Sequence, residues 1–161
     1  MIRPTLRLAL LPAALALAAA AHPPEIEQQL AFLAGDWTMA GKESQYRDNC
    51  TWFDDRSFIV CDTTDGRPGG HHSVAVLGWS KADGHFTYQQ YDNSGRSRTE
   101  RCYPNDRKGI TCLGSLKTDE GFVETRSHIW PTPTGLGISQ DRATNGGAFK
   151  EVGRVDYIRR R

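Results

Sequence analysis

The sequence feature that most constrains the fold is a succession of short strand-like segments, separated by turns, that runs from Gly35 to the C terminus. Gly, Asn, Asp and Pro residues mark the turns at regular intervals, and Asn145-Gly146-Gly147 is a strong hairpin signal. Because the connections are short, consecutive strands are expected to pair antiparallel in one meander. The segments between the turns predict about ten strands, at residues 36–42, 46–53, 58–63, 73–79, 85–91, 97–103, 110–117, 122–130, 136–143 and 148–159.

An up-and-down β-barrel is the fold that such a meander favours. Closing the sheet on itself removes the exposed strand edges, which would otherwise be free to pair with other chains. A sandwich of two sheets is the alternative. The longest turn-rich stretch, residues 64–70, is expected to form a flexible lip at the mouth of the barrel.

One short helix is expected before the first strand. Ile26, Leu30 and Leu33 recur with the spacing of one helix face, Pro24 suits the first helical turn, and Gly35 is a natural stop. The chain is therefore predicted to be all-β apart from this helix, with a single β-barrel domain over residues 22–161.

The first 21 residues have the organisation of a secretory signal peptide. Arg3 and Arg7 provide a positive start, residues 8–18 form an apolar stretch, and Ala19-Ala20-Ala21 offers a small-residue cleavage site. The apolar stretch is too short to span a bilayer, so no membrane span is expected. The protein is thus predicted to be periplasmic or secreted, in a compartment where disulfides persist.

The four cysteines bracket two hairpins of the predicted sheet. Folding each hairpin symmetrically about its turn places Cys50 opposite Cys61 and Cys102 opposite Cys112, within disulfide distance. Of the three pairings that four cysteines allow, only this one makes both bridges local. A zinc site is the alternative, but no pair has the spacing of a structural zinc motif. Two disulfides and no metal site are therefore predicted.

The segment Gly35-Asp36-Trp37, at the start of the first strand, resembles the Gly-x-Trp motif of lipocalins and the wider calycin group. A closer resemblance is to a bacterial domain family of unknown function with a calycin-like barrel, whose motifs correspond to residues 32–37, 78–80 and 157–159. Trp79-Ser80 stands where that family typically has Tyr-Asp. The resemblance implies a fold and no activity, because the family's own activity is undefined.

The same resemblance implies how one end of the barrel is closed. Trp37 would plug that end, and Arg159, or failing that Arg154, would pack over the indole ring, an arrangement that cation–π attraction favours. Gly35, Trp37, Tyr157 and Arg159 are the expected barrel-closure residues.

A barrel of this size can hold a small ligand in its lumen, so inward-facing positions are candidate binding residues. Tyr88 and Gln90 share one face of the fifth strand, and Arg126 and His128 share one face of the eighth. If residues 123, 125, 127 and 129 form the core, Arg126 and His128 lie outside, and alternation alone does not choose between the two faces. These four side chains are the candidate ligand-binding set.

Non-catalytic binding of a small amphipathic or polar molecule is the function that the sequence favours. The alternatives are an envelope protein-interaction module with a filled barrel, a haem-binding barrel and an enzyme. Haem would need an axial ligand from the histidines at 71, 72, 85 and 128. No hydrolase elbow, phosphate loop or zinc-protease motif occurs, so no catalytic residue and no cofactor is predicted. The net charge of +1 argues against a dedicated nucleic-acid binder.

Overall fold

The computed structural model describes residues 24–53, 56–118 and 121–160. The predicted signal peptide and its cleavage site lie outside these residues. Helix α1 spans Pro24–Leu30 and continues into a 3₁₀ turn over Ala31–Leu33. Ten strands follow: β1 Gly35–Met39, β2 Tyr46–Phe53, β3 Phe58–Asp65, β4 His72–Ser80, β5 His85–Asp92, β6 Ser97–Pro104, β7 Ile110–Thr118, β8 Gly121–Pro131, β9 Gly135–Thr144 and β10 Lys150–Arg159.

The ten strands form one closed barrel in which every strand pairs antiparallel with its neighbours in sequence. β1 closes the barrel by pairing with β10 on one side and β2 on the other, so that Trp37 stands between Arg159 and Asp48. The predicted all-β up-and-down barrel with one short N-terminal helix is confirmed, and the sandwich alternative is excluded.

Two strands are shorter than predicted. β1 ends at Met39 and does not reach Lys42, because the chain turns there: the Lys42 amide donates to the Met39 carbonyl at 2.9 Å, and Gly41 has a φ of 80°. β10 begins at Lys150, two residues later than expected, and its pairing with β9 shifts register between Glu151 and Gly153.

The helical segment covers one end of the barrel, here called the closed end. The turns after β2, β4, β6 and β8 also lie at this end, and the Arg56 side chain in the first of them pairs with Glu27 of the helix. Leu30 is fully buried, and it belongs to the same apolar cluster as Trp37 and Phe86. The apolar core therefore sits at the closed end, and the opposite end carries the remaining turns.

Both disulfides form as predicted, between Cys50 and Cys61 and between Cys102 and Cys112. Each joins directly opposite residues of neighbouring strands, and their side chains belong to the buried interior of the barrel. Within the described residues, no helix has the length and apolar character needed to cross a membrane.

Candidate ligand site in the barrel lumen

The barrel encloses a cavity of about 400 Å³. It extends from Leu33 in the helical cap at the closed end to His71 in the connection between β3 and β4. The part near the closed end is apolar, with walls formed by Leu77, Leu136 and Ile138. Disulfide sulfurs on two sides add to this apolar surface, whereas the part toward His71 is lined mainly by polar side chains.

Asp48 of β2 projects a carboxylate into this cavity. The Thr63 hydroxyl donates a hydrogen bond to Asp48 Oδ1 at 3.0 Å. Among the residues that the structure describes, no Lys, Arg or His nitrogen lies within ion-pairing distance of this carboxylate. The pKa of Asp48 is raised from 3.8 to about 6, mainly by burial; the hydrogen bond from Thr63 opposes this shift, and the nearby charges of Asp62 and Asp36 contribute to it.

Three tyrosines share the cavity with this carboxylate. The Tyr157 hydroxyl donates to the Tyr46 hydroxyl oxygen at 3.2 Å, and their rings meet edge to face with centroids 5.7 Å apart. Burial raises the pKa of Tyr46, Tyr88 and Tyr157 above its ordinary value, and the negative charge of Asp48 adds to the effect. All three phenols therefore stay protonated at neutral pH and offer hydrogen-bonding hydroxyls next to aromatic ring faces.

An arginine and a glutamate of β6 form the second charged group of the cavity. Arg98 Nη1 lies 3.4 Å from Glu100 Oε1, and Arg98 Nη2 donates to the Tyr88 hydroxyl at 3.3 Å. Glu100 is only 4% exposed, and a Cβ at Gly114 would lie 2.8 Å from its Cγ, so only glycine leaves room for this side chain. Arg98 Nε is buried without a hydrogen-bond partner in the described part of the chain.

Two of the four predicted ligand-binding residues line the cavity. Tyr88 contacts Arg98 as described, and Gln90 Nε2 donates to the Ser73 hydroxyl at 2.8 Å. The His71 ring nitrogen Nε2 lies 3.1 Å from the same hydroxyl oxygen, so Ser73 links two lining side chains. Binding by these residues remains a prediction.

Arg126 and His128 do not line the cavity, contrary to expectation, because their neighbours Ser127 and Ile129 do. On the outer face, Arg126 Nη2 donates to Asp141 Oδ2 at 2.7 Å. His128 Nδ1 lies 2.9 Å from the Thr111 hydroxyl oxygen. Both polar side chains have cross-strand partners on the outer face of the barrel. These contacts stabilise the orientation of β8 in which Arg126 and His128 point outward, one of the two orientations that alternation left open.

The closed end has the contacts that the calycin resemblance implied. Trp37 is 2% exposed, its Nε1 donates to the Leu33 carbonyl at 2.8 Å, and the Arg159 guanidinium lies 4.4 Å from the ring centroid. A Cβ at Gly35 would lie 2.7 Å from Arg159 Nη1 and 2.9 Å from the indole, so this stacking requires glycine there. Tyr157, the fourth expected closure residue, lines the cavity.

The charged residues of the cavity were missing from the prediction, although the cysteines carry a signal for them. Asp48 lies two residues before Cys50, and Glu100 and Arg98 lie two and four residues before Cys102. Because side chains alternate along a strand, disulfides that face inward place all three inside the barrel. That inference requires the direction of the cysteine side chains, which alternation alone does not give.

Asp48, Cys50 and Cys61 bring possible metal-ligand atoms within 4.8 Å of one another. The thiolate is the form of cysteine that binds metals, and both sulfurs are held in a disulfide. This group is therefore no metal site while the disulfide is intact. Of the four histidines considered for haem, only His71 lines the cavity.

No protein-family model matches the chain, and no curated protein sequence is significantly similar to it. The cavity and its chemistry are therefore the observations from which a function can be inferred.

Proposed function

We propose that this protein binds a small amphipathic or polar molecule, without transforming it, in the lumen of its barrel. The cavity volume of about 400 Å³ falls within the range of small-molecule sites, which are concave, mostly apolar and furnished with a few converging polar groups. The observation that carries the proposal is incomplete bonding inside this cavity. The Asp48 carboxylate, which lines the cavity, has no Lys, Arg or His partner among the described residues, and charges removed from water are normally paired.

Export to the periplasm or the extracellular space is part of this proposal. The two disulfides are compatible with an oxidising compartment, and the first 21 residues have the pattern of a signal peptide. Membership of a calycin-like family is likewise proposed, and the stacking of Arg159 on Trp37 supports it.

The alternative of an interaction module with a filled barrel receives less support. It is favoured by exposed aromatic side chains on the outer surface, such as Phe53, which stacks on the half-buried Phe58. A cavity of about 400 Å³ with polar walls counts against its requirement for a filled lumen.

Filling the lumen from one wall tests the proposal. Ala75 of β4 lines the cavity, and the next residue, Val76, lies on the outer face of the same strand. We expect Ala75→Phe to weaken binding of the neutral fluorophore N-phenyl-1-naphthylamine by about tenfold or more, because the new ring occupies ligand space. Val76→Phe adds a ring of the same size outside and should leave the affinity unchanged.

Fluorescence titration measures both affinities, and circular dichroism checks that both variants keep the β-barrel spectrum. Equal affinities for the wild type and Ala75→Phe would place the fluorophore outside the lumen. Absence of fluorophore binding to the wild type would contradict a lumen open to amphipathic molecules.

A further inference from the structure

The charges inside the cavity do not balance. Asp48 and Glu100 bring two carboxylates, and the Arg98 guanidinium pairs with Glu100. Arg154 also borders the cavity, but its guanidinium lies 5.2 Å from the centroid of the Trp130 ring, on the outer face of β8. Within the described residues, Asp48 is thus left without a cation, although it is partly buried in the cavity wall.

The surroundings of Asp48 suit a positively charged group. A buried carboxylate without a cationic partner is costly, and an ammonium that donates a hydrogen bond to it forms one of the stronger polar contacts in proteins. Tyr46, Tyr88 and Tyr157 supply aromatic rings to the same cavity, and ring faces attract cations.

A bare metal ion does not fit these observations. Asp48 and the Thr63 hydroxyl provide few oxygen ligands, whereas Ca²⁺ requires six to eight. The adjacent sulfurs of Cys50 and Cys61 are bonded to each other. The cavity is also far larger than an ion, and its inner part is apolar around Leu77 and Leu136. The occupant should therefore combine one cationic group with an apolar body.

We infer that the ligand is a small organic amine, whose ammonium group pairs with Asp48 and whose apolar part lies against the inner wall of the lumen. This inference rests on the proposed function, because it names the ligand class of the same cavity.

The experiment compares probes of similar shape and different charge. Isothermal titration calorimetry at pH 7.5 measures binding of 2-phenylethylamine and octylamine, of the matching alcohols 2-phenylethanol and octanol, and of 3-phenylpropanoate. We expect at least one amine to bind about tenfold or more tighter than its alcohol, and the carboxylate to bind most weakly.

Two matched variants assign the effect to Asp48. Asp48→Asn keeps the shape and an acceptor for Thr63 but removes the charge, so it should lose the preference for the amine and retain alcohol binding. Asp62→Asn makes the same change on the outer face of β3, where Asp62 contacts His72, and should behave as the wild type.

The outcomes separate the two proposals. If the lumen binds N-phenyl-1-naphthylamine but the amines bind no better than the alcohols or the carboxylate, the amine inference is overturned and the proposed function stands. Equal amine affinities for the wild type and Asp48→Asn overturn it as well. If neither the fluorophore nor any of the five probes binds, the proposed function itself fails.

Discussion

Replacing Trp37 by alanine is expected to lower the free energy of unfolding by about 3–5 kcal/mol, the range observed when large buried aromatic side chains are truncated. Trp37 is 2% exposed, belongs to the apolar cluster at the closed end and ties β1 to the helical cap through its bond to the Leu33 carbonyl. Truncation would empty the centre of that cluster and leave the Arg159 guanidinium without the ring on which it stacks.

Urea unfolding followed by circular dichroism measures this effect. Tyr91→Ala is the matched control, because Tyr91 is an aromatic residue that is 63% exposed on the outer face, and its loss should cost about 0.5 kcal/mol or less. Arg159→Met keeps the length of the side chain and should cost an intermediate amount, about 0.5–2 kcal/mol, by removing the cation from the indole. A Trp37→Ala variant no less stable than Tyr91→Ala would contradict the closure described here.

Stability is expected to fall as the pH rises from about 4 to about 6, and Asp48→Asn is expected to remove most of that fall. The ordinary pKa of Asp48 is 3.8, and burial raises it to about 6 in the folded protein. Between these values the folded protein holds a proton that the unfolded chain has released, so each step up in pH favours unfolding. A shift of this size corresponds to a loss of about 3 kcal/mol, complete above pH 6.

Asp48→Asn should therefore match the wild type near pH 4 and exceed its stability by up to about 3 kcal/mol at pH 7.5. The charged groups that act on Asp48 are the carboxylates of Asp36 and Asp62, and the variant retains both. The difference between the two unfolding profiles isolates Asp48, because every other titrating group is common to both proteins.

Other carboxyl groups shape the full profile of each protein. Burial also raises the pKa of Glu100, which adds to the fall with rising pH. Hydrogen bonds from Ser94 lower the pKa of Asp92, and Arg67 lowers that of Asp65. Those two groups stabilise the folded state above their unfolded pKa and lose that effect only in stronger acid. Parallel profiles for the wild type and Asp48→Asn would contradict the buried, uncompensated carboxylate.

The gain in stability expected for Asp48→Asn also bears on function. Replacing a residue held against its solvation preference commonly stabilises a protein at the expense of activity, and such residues concentrate in binding and catalytic sites. A bound amine would offset the cost of the Asp48 charge, so the wild type should gain more thermal stability from the amine than Asp48→Asn does.

The strands and disulfides were predictable because local signals determine them. Short turns between β-rich segments fix which strands pair, and the symmetric hairpin between Phe53 and Phe58 fixes the register that joins Cys50 to Cys61. Up-and-down closure followed from the lack of long connections. The hairpin pairs and both disulfides depend on neighbours in sequence, whereas the pairing of β1 with β10 that closes the barrel joins the two ends of the domain.

Which face of β8 points into the barrel was not predictable, because large and polar residues occur on both of its faces. Trp130 lies on the outer face and is nonetheless buried, since its ring lies against Gly137 and under the guanidinium groups of Arg107 and Arg154, at 4.6 and 5.2 Å from the ring centroid. The residues that cover Trp130 belong to β9, β10 and the turn after β6. No pattern within β8 itself indicates that Trp130 is buried.

The uncompensated charge of Asp48 was likewise not predictable from the sequence. Its inward direction could be read from the spacing to Cys50, but the lack of a cationic partner among the described residues depends on every strand around the lumen. Arg98, the natural candidate, is held by Glu100 on its own strand. Whether a charge inside a barrel is balanced is thus a property of the closed fold and not of any one segment.

The most direct test of the account is native mass spectrometry of the unreduced protein purified from its own cell envelope or medium, alongside Ala75→Phe. We expect the wild type to carry a noncovalent small molecule that is lost on denaturation, and Ala75→Phe to be depleted of it. The denatured chain should weigh four hydrogens less than the fully reduced one, because two disulfides are present. An adduct equally abundant in both proteins, or a wild type without any adduct that also fails to bind the probes, would contradict a ligand site in the lumen.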